Sequence, residues 1–212
     1  MKGIIKSEKF DTELKEQRYL ERFLGMDPNE RLQHFEQLCK NIQLLVGENT
    51  QSVNFKAMFF ERDFKDFILL LNRFEAEYLI IGGYATAVHG YVRATGDIDF
   101  WVNPTEENAE KLLKIMILFG YEPTEIEKAD FLKTPNVLMF GASEINLLTA
   151  PDGLDSFADA YSRHLLVTQE WGDLYFIGLD DLIRNKEAVG REKDKIDLRQ
   201  LKKIRDINQG KK

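Results

Sequence analysis

The sequence predicts an α/β fold: a mixed sheet flanked by helices, preceded by a helical N-terminal region over residues 1–60. Three observations carry this expectation. Apolar runs of strand length recur, beginning with Tyr78-Leu79-Ile80-Ile81. Between them lie longer segments whose apolar residues fall at helical spacing. Capping residues and glycines punctuate those segments at their ends.

The elements follow in order. Residues 1–25 are charged with scattered apolar residues (Leu14, Leu20, Phe23, Leu24) and read as a helix or a partly ordered arm. Asp27-Pro28-Asn29-Glu30 is a helix start, with Asp27 as N-cap, Pro28 in the first position and Glu30 closing a capping box. Leu32, Phe35, Leu38, Cys39, Ile42, Leu45 and Val46 then repeat at helical spacing until Gly47. Residues 49–54 are a polar linker. The second unit, 61–212, opens with an amphipathic helix from about Glu61 to Phe74. Its apolar face is expected to cover the sheet that starts at Tyr78. Gly82-Gly83 break that strand, and a short helix fits from Tyr84 to about His89. Asp97 to Val102 alternates polar and apolar as a second strand. Thr105 caps a helix reaching about Phe119.

Further on, 137–140 and 144–148 read as an antiparallel pair around Gly141-Ala142. A short helix fits 155–161. His164 to Gln169 and Leu174 to Ile177 read as two strands, with 170–173 between them. Asp180 is expected to cap a helix to about Val189, and a last helix runs from about Arg191 to Ile207.

Composition narrows the function classes. The chain has 212 residues, 43% of them hydrophobic and 31% charged, the profile of a water-soluble globular protein. A single cysteine, Cys39, excludes an intrachain disulfide and reads as a buried thiol. The N-terminus has no apolar stretch of signal-peptide length, and no run reaches the ~18 apolar residues of a membrane span. The expectation is a cytoplasmic protein without a membrane partner. Net charge is −7, which argues against binding nucleic acid with the whole surface. From Arg184 to Lys212, however, 11 Lys and Arg stand against 5 Asp and Glu. This segment is a solvated helix face, a phosphate or RNA platform, or both.

The chemistry concentrates in YLIIGGYATAVHGYVRATGDIDFWV, residues 78–102. Side chains two apart on a strand share a face, so Asp97 and Asp99 point the same way while Ile98 and Phe100 point into a core. Two carboxylates on one face repel unless a cation sits between them, and divalent metal fits that need. Gly82 and Gly83 at the start of a helix make an anion site, because free backbone N–H groups and the helix dipole favour phosphate. Carboxylates holding Mg²⁺ against a phosphate describe transfer from a nucleoside triphosphate.

That stretch resembles the signature of the DNA-polymerase-beta-like nucleotidyltransferase superfamily: a hydrophobic strand, Gly-Gly, a helix, then Asp-x-Asp. Arg93-Ala94-Thr95-Gly96-Asp97-Ile98-Asp99 is similar to the corresponding motif of AbiEii-type toxins and related bacterial nucleotidyltransferases. DLIRNKEAVGREKDKIDLRQL, residues 181–201, resembles their C-terminal signature. The resemblance spans roughly residues 65–205. It implies nucleotidyl transfer from an NTP to a hydroxyl, with Mg²⁺ or Mn²⁺ as cofactor and pyrophosphate as product. It also implies nucleotide contacts from Gly82, Gly83, Arg93, Thr95, Lys186 and Arg191, and a toxin–antitoxin setting.

A third carboxylate on a later strand is part of that pattern, and here the chain departs from it. Asn146 stands in the acid's place in Ile145-Asn146-Leu147-Leu148. An amide oxygen can ligate a metal, but it carries no charge and is no useful base. Glu144, two residues earlier on the same predicted strand, is a candidate to replace it as catalytic base or metal ligand. Asp194 and Asp197, one turn apart, are expected to orient Arg191 or Lys186 through ion pairs. His89 reads more readily as a helix-end or core residue than as a substrate contact. Tyr84 and Trp101 offer rings for base stacking, with core packing the commoner role. The acceptor is left open among RNA, a protein side chain and a small molecule. The rival reading is a catalytically weakened transferase fold that binds a nucleotide or a protein partner, with the N-terminal helices serving for docking or self-association.

Overall fold

The computed structural model describes residues 24–33, 62–93, 95–140 and 144–210. The expected features between residues 34 and 60, Cys39 and the polar linker among them, lie outside the described residues. From residue 62 onward the chain contributes helices α1 (Arg62–Arg73), α2 (Gly82–His89), α3 (Glu106–Leu118), α4 (Phe157–Ser162), α5 (Leu179–Val189) and α6 (Glu192–Asn208). Its strands are β1 (Tyr78–Ile81), β2 (Ile98–Val102), β3 (Val137–Phe140), β4 (Ile145–Leu148), β5 (Leu165–Gln169) and β6 (Gly172–Phe176). They form one mixed sheet in the order β3-β4-β2-β1-β6-β5. β1 runs antiparallel to β2 and parallel to β6, β2 runs parallel to β4, and the pairs β3–β4 and β5–β6 are antiparallel. The α/β architecture is the one that the alternation of strand-length and helix-length apolar patterns predicts.

The two faces of the sheet divide the labour. Ile98, Phe100 and Val102 are fully buried, and Phe67 of α1 meets the Phe100 ring edge-on at 5.4 Å and the Phe119 ring at 5.1 Å. This is the cover that the amphipathic pattern of α1 anticipates. The opposite face carries Asp99 and Trp101. Trp101 is buried against Phe157 of α4 and donates its indole N–H to the Thr149 carbonyl at 3.2 Å. Tyr84 is equally buried and packs edge-on against Phe64 at 6.1 Å. Both rings therefore take the core role.

The N-terminal piece is tied to this core. Residues 28–33 are helical, and the capping box read from the sequence is present. The Glu30 N–H donates to Asp27 Oδ1, and the Asp27 N–H donates to Glu30 Oε2, each at 2.9 Å. Leu32 is fully buried, and the Arg31 guanidinium donates to the Val88 carbonyl at 3.2 Å. Thr105 caps α3 as expected, its hydroxyl accepting the Asn108 N–H.

Several boundaries differ from the sequence reading. Helix α2 begins at Gly82 itself, with Ile81 in the capping position. Strand β6 starts at Gly172 rather than Leu174, leaving Glu170 and Trp171 as a two-residue turn. Asp173 tolerates a strand because its groups have partners: its carboxylate accepts the Thr168 hydroxyl at 2.7 Å, and its carbonyl accepts Asn72 Nδ2 at 2.7 Å. Gly178, not Asp180, caps α5, and Asp180 lies in the first turn where its charge meets the helix dipole. Strand β4 begins at Ile145. Glu144 precedes it at φ +53°, outside the strand, so strand alternation does not put Glu144 on the face of Asn146 as expected.

His89 ends α2 as a buried residue, and its Nε2 lies 2.7 Å from the Ile177 carbonyl. A carbonyl only accepts, so Nε2 carries the proton of the neutral ring. Burial lowers the imidazole pKa to about 4 from 6.5. Between those values the unfolded chain takes up a proton that the folded chain refuses, so this contribution to stability is complete above pH 6.5 and declines toward pH 4. The expected slope is at most about 1.4 kcal/mol per pH unit. His89→Gln, which keeps a donor for Ile177, is expected to flatten the pH dependence of urea unfolding in this window. Equal slopes for both proteins would show that His89 is not its source.

Candidate functional site

The site forms where β1 ends, α2 begins and β2 passes between β1 and β4. Asp99 pairs in register with Ile81 on one side and with Asn146 on the other. Asp97 stands just ahead of β2, yet Asn146 reaches both carboxylates. Its amide Nδ2 donates to Asp99 Oδ1 at 3.0 Å and to Asp97 Oδ2 at 3.3 Å. The shared face read from the Asp-x-Asp spacing is thus present, and the sheet brings Asn146 onto it.

The two glycines are required by close approach. Gly82 has φ +68°, and a Cβ there would lie 2.1 Å from Asp99 Oδ2. A Cβ on Gly83 would lie 2.4 Å from Thr95 Oγ1. Only glycine lets the first turn of α2 settle onto the carboxylate strand and the loop before it. Thr95 in turn donates its hydroxyl to Asp97 Oδ1 at 3.2 Å, which fixes that carboxylate relative to the turn. The early N–H groups of a helix have no partner within it, so this close approach aims donors at the neighbourhood of the acids.

A cationic wall faces the pair. Lys186 of α5, Asp194 and Asp197 of α6 are all buried. Lys186 Nζ lies 2.9 Å from Asp194 Oδ1 and 2.9 Å from Asp197 Oδ2. Arg191 Nε donates to Asp194 at 2.7 Å. Arg93 clamps Asp197 with Nε at 2.8 Å and its terminal nitrogen at 3.0 Å. Five alternating charges thus join the loop before Asp97 to both C-terminal helices. The expectation that Asp194 and Asp197 orient Lys186 and Arg191 describes this arrangement. Lys186 has two of its three N–H donors engaged in it, as does the guanidinium of Arg93 with its fork, so both act from within the network.

The electrostatics follow from these contacts. Burial pushes the Asp99 carboxyl above its usual range. The Asn146 hydrogen bond opposes that, Asp97 adds to it, and the charges of Lys186 and Lys193 pull the other way. Burial would also raise Asp194, but hydrogen bonds from Arg191 and Lys186 prevail and hold it at about 2. The Arg191 guanidinium is raised chiefly by Asp194, with Asp99 and Asp97 adding to the pull. Lys193, exposed on α6, joins this field. The sequence marks it only as one lysine in a basic stretch.

The donor set fits a divalent cation. Among the described residues no three or more His, Cys, Asp and Glu gather as metal ligands, so the set is two carboxylates and one amide. The amide currently bridges the acids through its N–H₂. Rotated by half a turn, it presents Oδ1 instead, and its orientation follows its hydrogen-bond partners. Hard oxygens in this number, completed by water or phosphate, suit Mg²⁺ or Mn²⁺. Glu144 stands just before β4: its carbonyl accepts the Ile98 N–H at 3.0 Å, and its backbone is left-handed at that point. Among the described residues no helix is long and apolar enough to cross a membrane. No protein-family model matches the sequence, and no curated protein matches it, so the site is read from its own chemistry.

Proposed function

We propose that this protein is a cytoplasmic, metal-dependent nucleotidyltransferase of the polymerase-beta-like kind, moving a nucleotidyl group from an NTP to a hydroxyl acceptor with release of pyrophosphate. One observation carries the reading. Asp97 and Asp99 converge on Asn146 directly beneath a helix start whose glycine leaves no room for a Cβ.

Asp97 and Asp99 would hold Mg²⁺ or Mn²⁺, with Asn146 adding its amide oxygen. The bound ion would supply Lewis-acid polarisation of the phosphoryl oxygens and would neutralise developing charge. Gly82 and Gly83 bring the first N–H groups of α2 to the phosphates. Thr95 and Arg93 hold the loop that carries Asp97. Arg191 and Lys193 offer the exposed cations for the departing pyrophosphate, and the buried Lys186 adds its field. Preorganised donors and charges of this sort carry most of the catalysis in phosphoryl transfer.

Asn146 favours a second reading, that of a weakened transferase which binds nucleotide and turns over slowly. It occupies the place beside both acids where a carboxylate would serve as base, and it serves here as a donor. Asn146→Asp is expected to raise pyrophosphate release from Mg²⁺–NTP by about 10²-fold, the usual scale of a general base. An unchanged or reduced rate would assign the proton to another group, Glu144 first, with Glu144→Gln as the second variant. No pyrophosphate release by either protein, with any NTP, would remove transferase activity from the account.

A further inference from the structure

Tyr84 and Trp101, the rings suited by type to stack on a base, are both buried. The face that carries Asp99 and Asn146 nevertheless has an apolar surface. In the β3–β4 pair, Met139 lies opposite Asn146 and Val137 opposite Leu148. Directly opposed residues share a face, with Cβ atoms about 4.5–5.5 Å apart. Met139 is 74% exposed and Val137 53%, while Leu148 is half-buried. Met139 and Val137 are the two most exposed large apolar side chains on the sheet, and both stand on β3, which pairs with the strand of Asn146.

The layout gives the site two poles. On the β1 side of Asp99 stand the glycine turn of α2 and the cations of α5 and α6. On the β4 side stands the shelf of Val137, Met139 and Leu148. A nucleoside triphosphate has the same polarity, a polyanion at one end and a flat apolar ring at the other. We infer that the shelf on β3 and β4 is the nucleobase subsite, with Met139 laying its thioether against the ring face. This rests on the transferase reading and extends it to the base. A thioether against an aromatic ring is a favourable contact, and methionine adapts to rings of different size. No polar side chain of the three reads the edge of the ring, so the subsite recognises a nucleoside triphosphate through its stacking face.

The test compares two probes by calorimetry in Mg²⁺: ATP, which carries a base, and inorganic tripolyphosphate, which does not. Met139→Ala and Met139→Gln are expected to weaken ATP binding by about 5- to 10-fold, the scale of one lost apolar contact. Tripolyphosphate binding should be unchanged in both variants, and Met139→Leu should restore ATP binding. The exposed position of Met139 makes these changes compatible with folding, which thermal unfolding checks. Unchanged ATP affinity in both variants overturns the subsite while leaving the triphosphate site intact. Equal losses for both probes overturn it as well, by locating the effect at the phosphates. Slower transfer at unaltered ATP affinity overturns it in favour of an acceptor contact. A wild-type protein that binds neither probe in a Mg²⁺-dependent way overturns both the subsite and the transferase reading.

Discussion

Lys186→Met is expected to lower the free energy of unfolding by about 3–5 kcal/mol, the usual result of removing one member of a buried charge network. Methionine keeps most of the lysine stem and loses only the charge and its donors. The ammonium stands 2.9 Å from both Asp194 and Asp197, and its side chain is 3% exposed while theirs are fully buried. Without it, Asp194 retains Arg191 and Asp197 retains Arg93, but two carboxylates crowd one dry pocket with less positive charge to hold them. Urea unfolding measures the loss. Lys111→Met is the comparison, because Lys111 pairs with the exposed Glu107 and should cost at most about 0.5 kcal/mol. Similar small changes in both would mean that the buried network adds nothing beyond ordinary surface charge. Acid should expose the same network. Asp194 is held at about 2, below its ordinary 3.8, so its contribution is complete above about pH 4 and declines as pH falls toward 2.

The same residues show how far a sequence speaks for its fold. The Asp-x-Asp spacing and the preceding glycines are local, and local spacing dictates which side chains share a face. Hence the carboxylate pair, the capping box at Asp27 and the Thr105 cap are legible without a structure. The same holds for Asp194 and Asp197 as ion-pair partners of Lys186, but not for the full burial of those acids or for the clamp of Arg93 on Asp197. Asp194 and Asp197 lie beyond Gly190, which ends α5 at φ +66° and lets the chain fold back so that α6 packs along α5. That fold-back buries Lys186 with both acids, and Arg93 reaches Asp197 from 104 residues away, which no local spacing announces. Glu144 is hard to place from sequence for the opposite reason: strand alternation does not extend to residue 144, which lies just before β4 with a left-handed backbone. Val137-Leu138-Met139-Phe140 is apolar throughout, so its period does not say which side faces solvent; the register against β4 decides it. Periodicity fixes faces within an element, and the pairing of elements fixes what those faces meet.

Loss of Mg²⁺-dependent triphosphate binding in the double variant Asp97→Ala, Asp99→Ala is the other large expected effect. The two acids share the Asn146 amide and lie under the α2 turn, so a triphosphate seated on that turn would need a cation between its phosphates and these carboxylates. Carboxylate ligands of Mg²⁺ are few in such sites, and alanine at both positions leaves one neutral amide. Removing the acids also relieves repulsion toward phosphate, so any binding that survives should no longer depend on metal. The fold should persist: both substitutions remove charge from a partly buried face, and Asp99 already sits there against its own desolvation. Titration calorimetry of wild type and double variant with ATP, each in Mg²⁺ and in EDTA, decides the matter. The account predicts heat of binding for the wild type in Mg²⁺ alone and none for the double variant in either buffer above a weak, metal-independent signal. Equal Mg²⁺-dependent binding by both proteins, with the double variant folded, would contradict it.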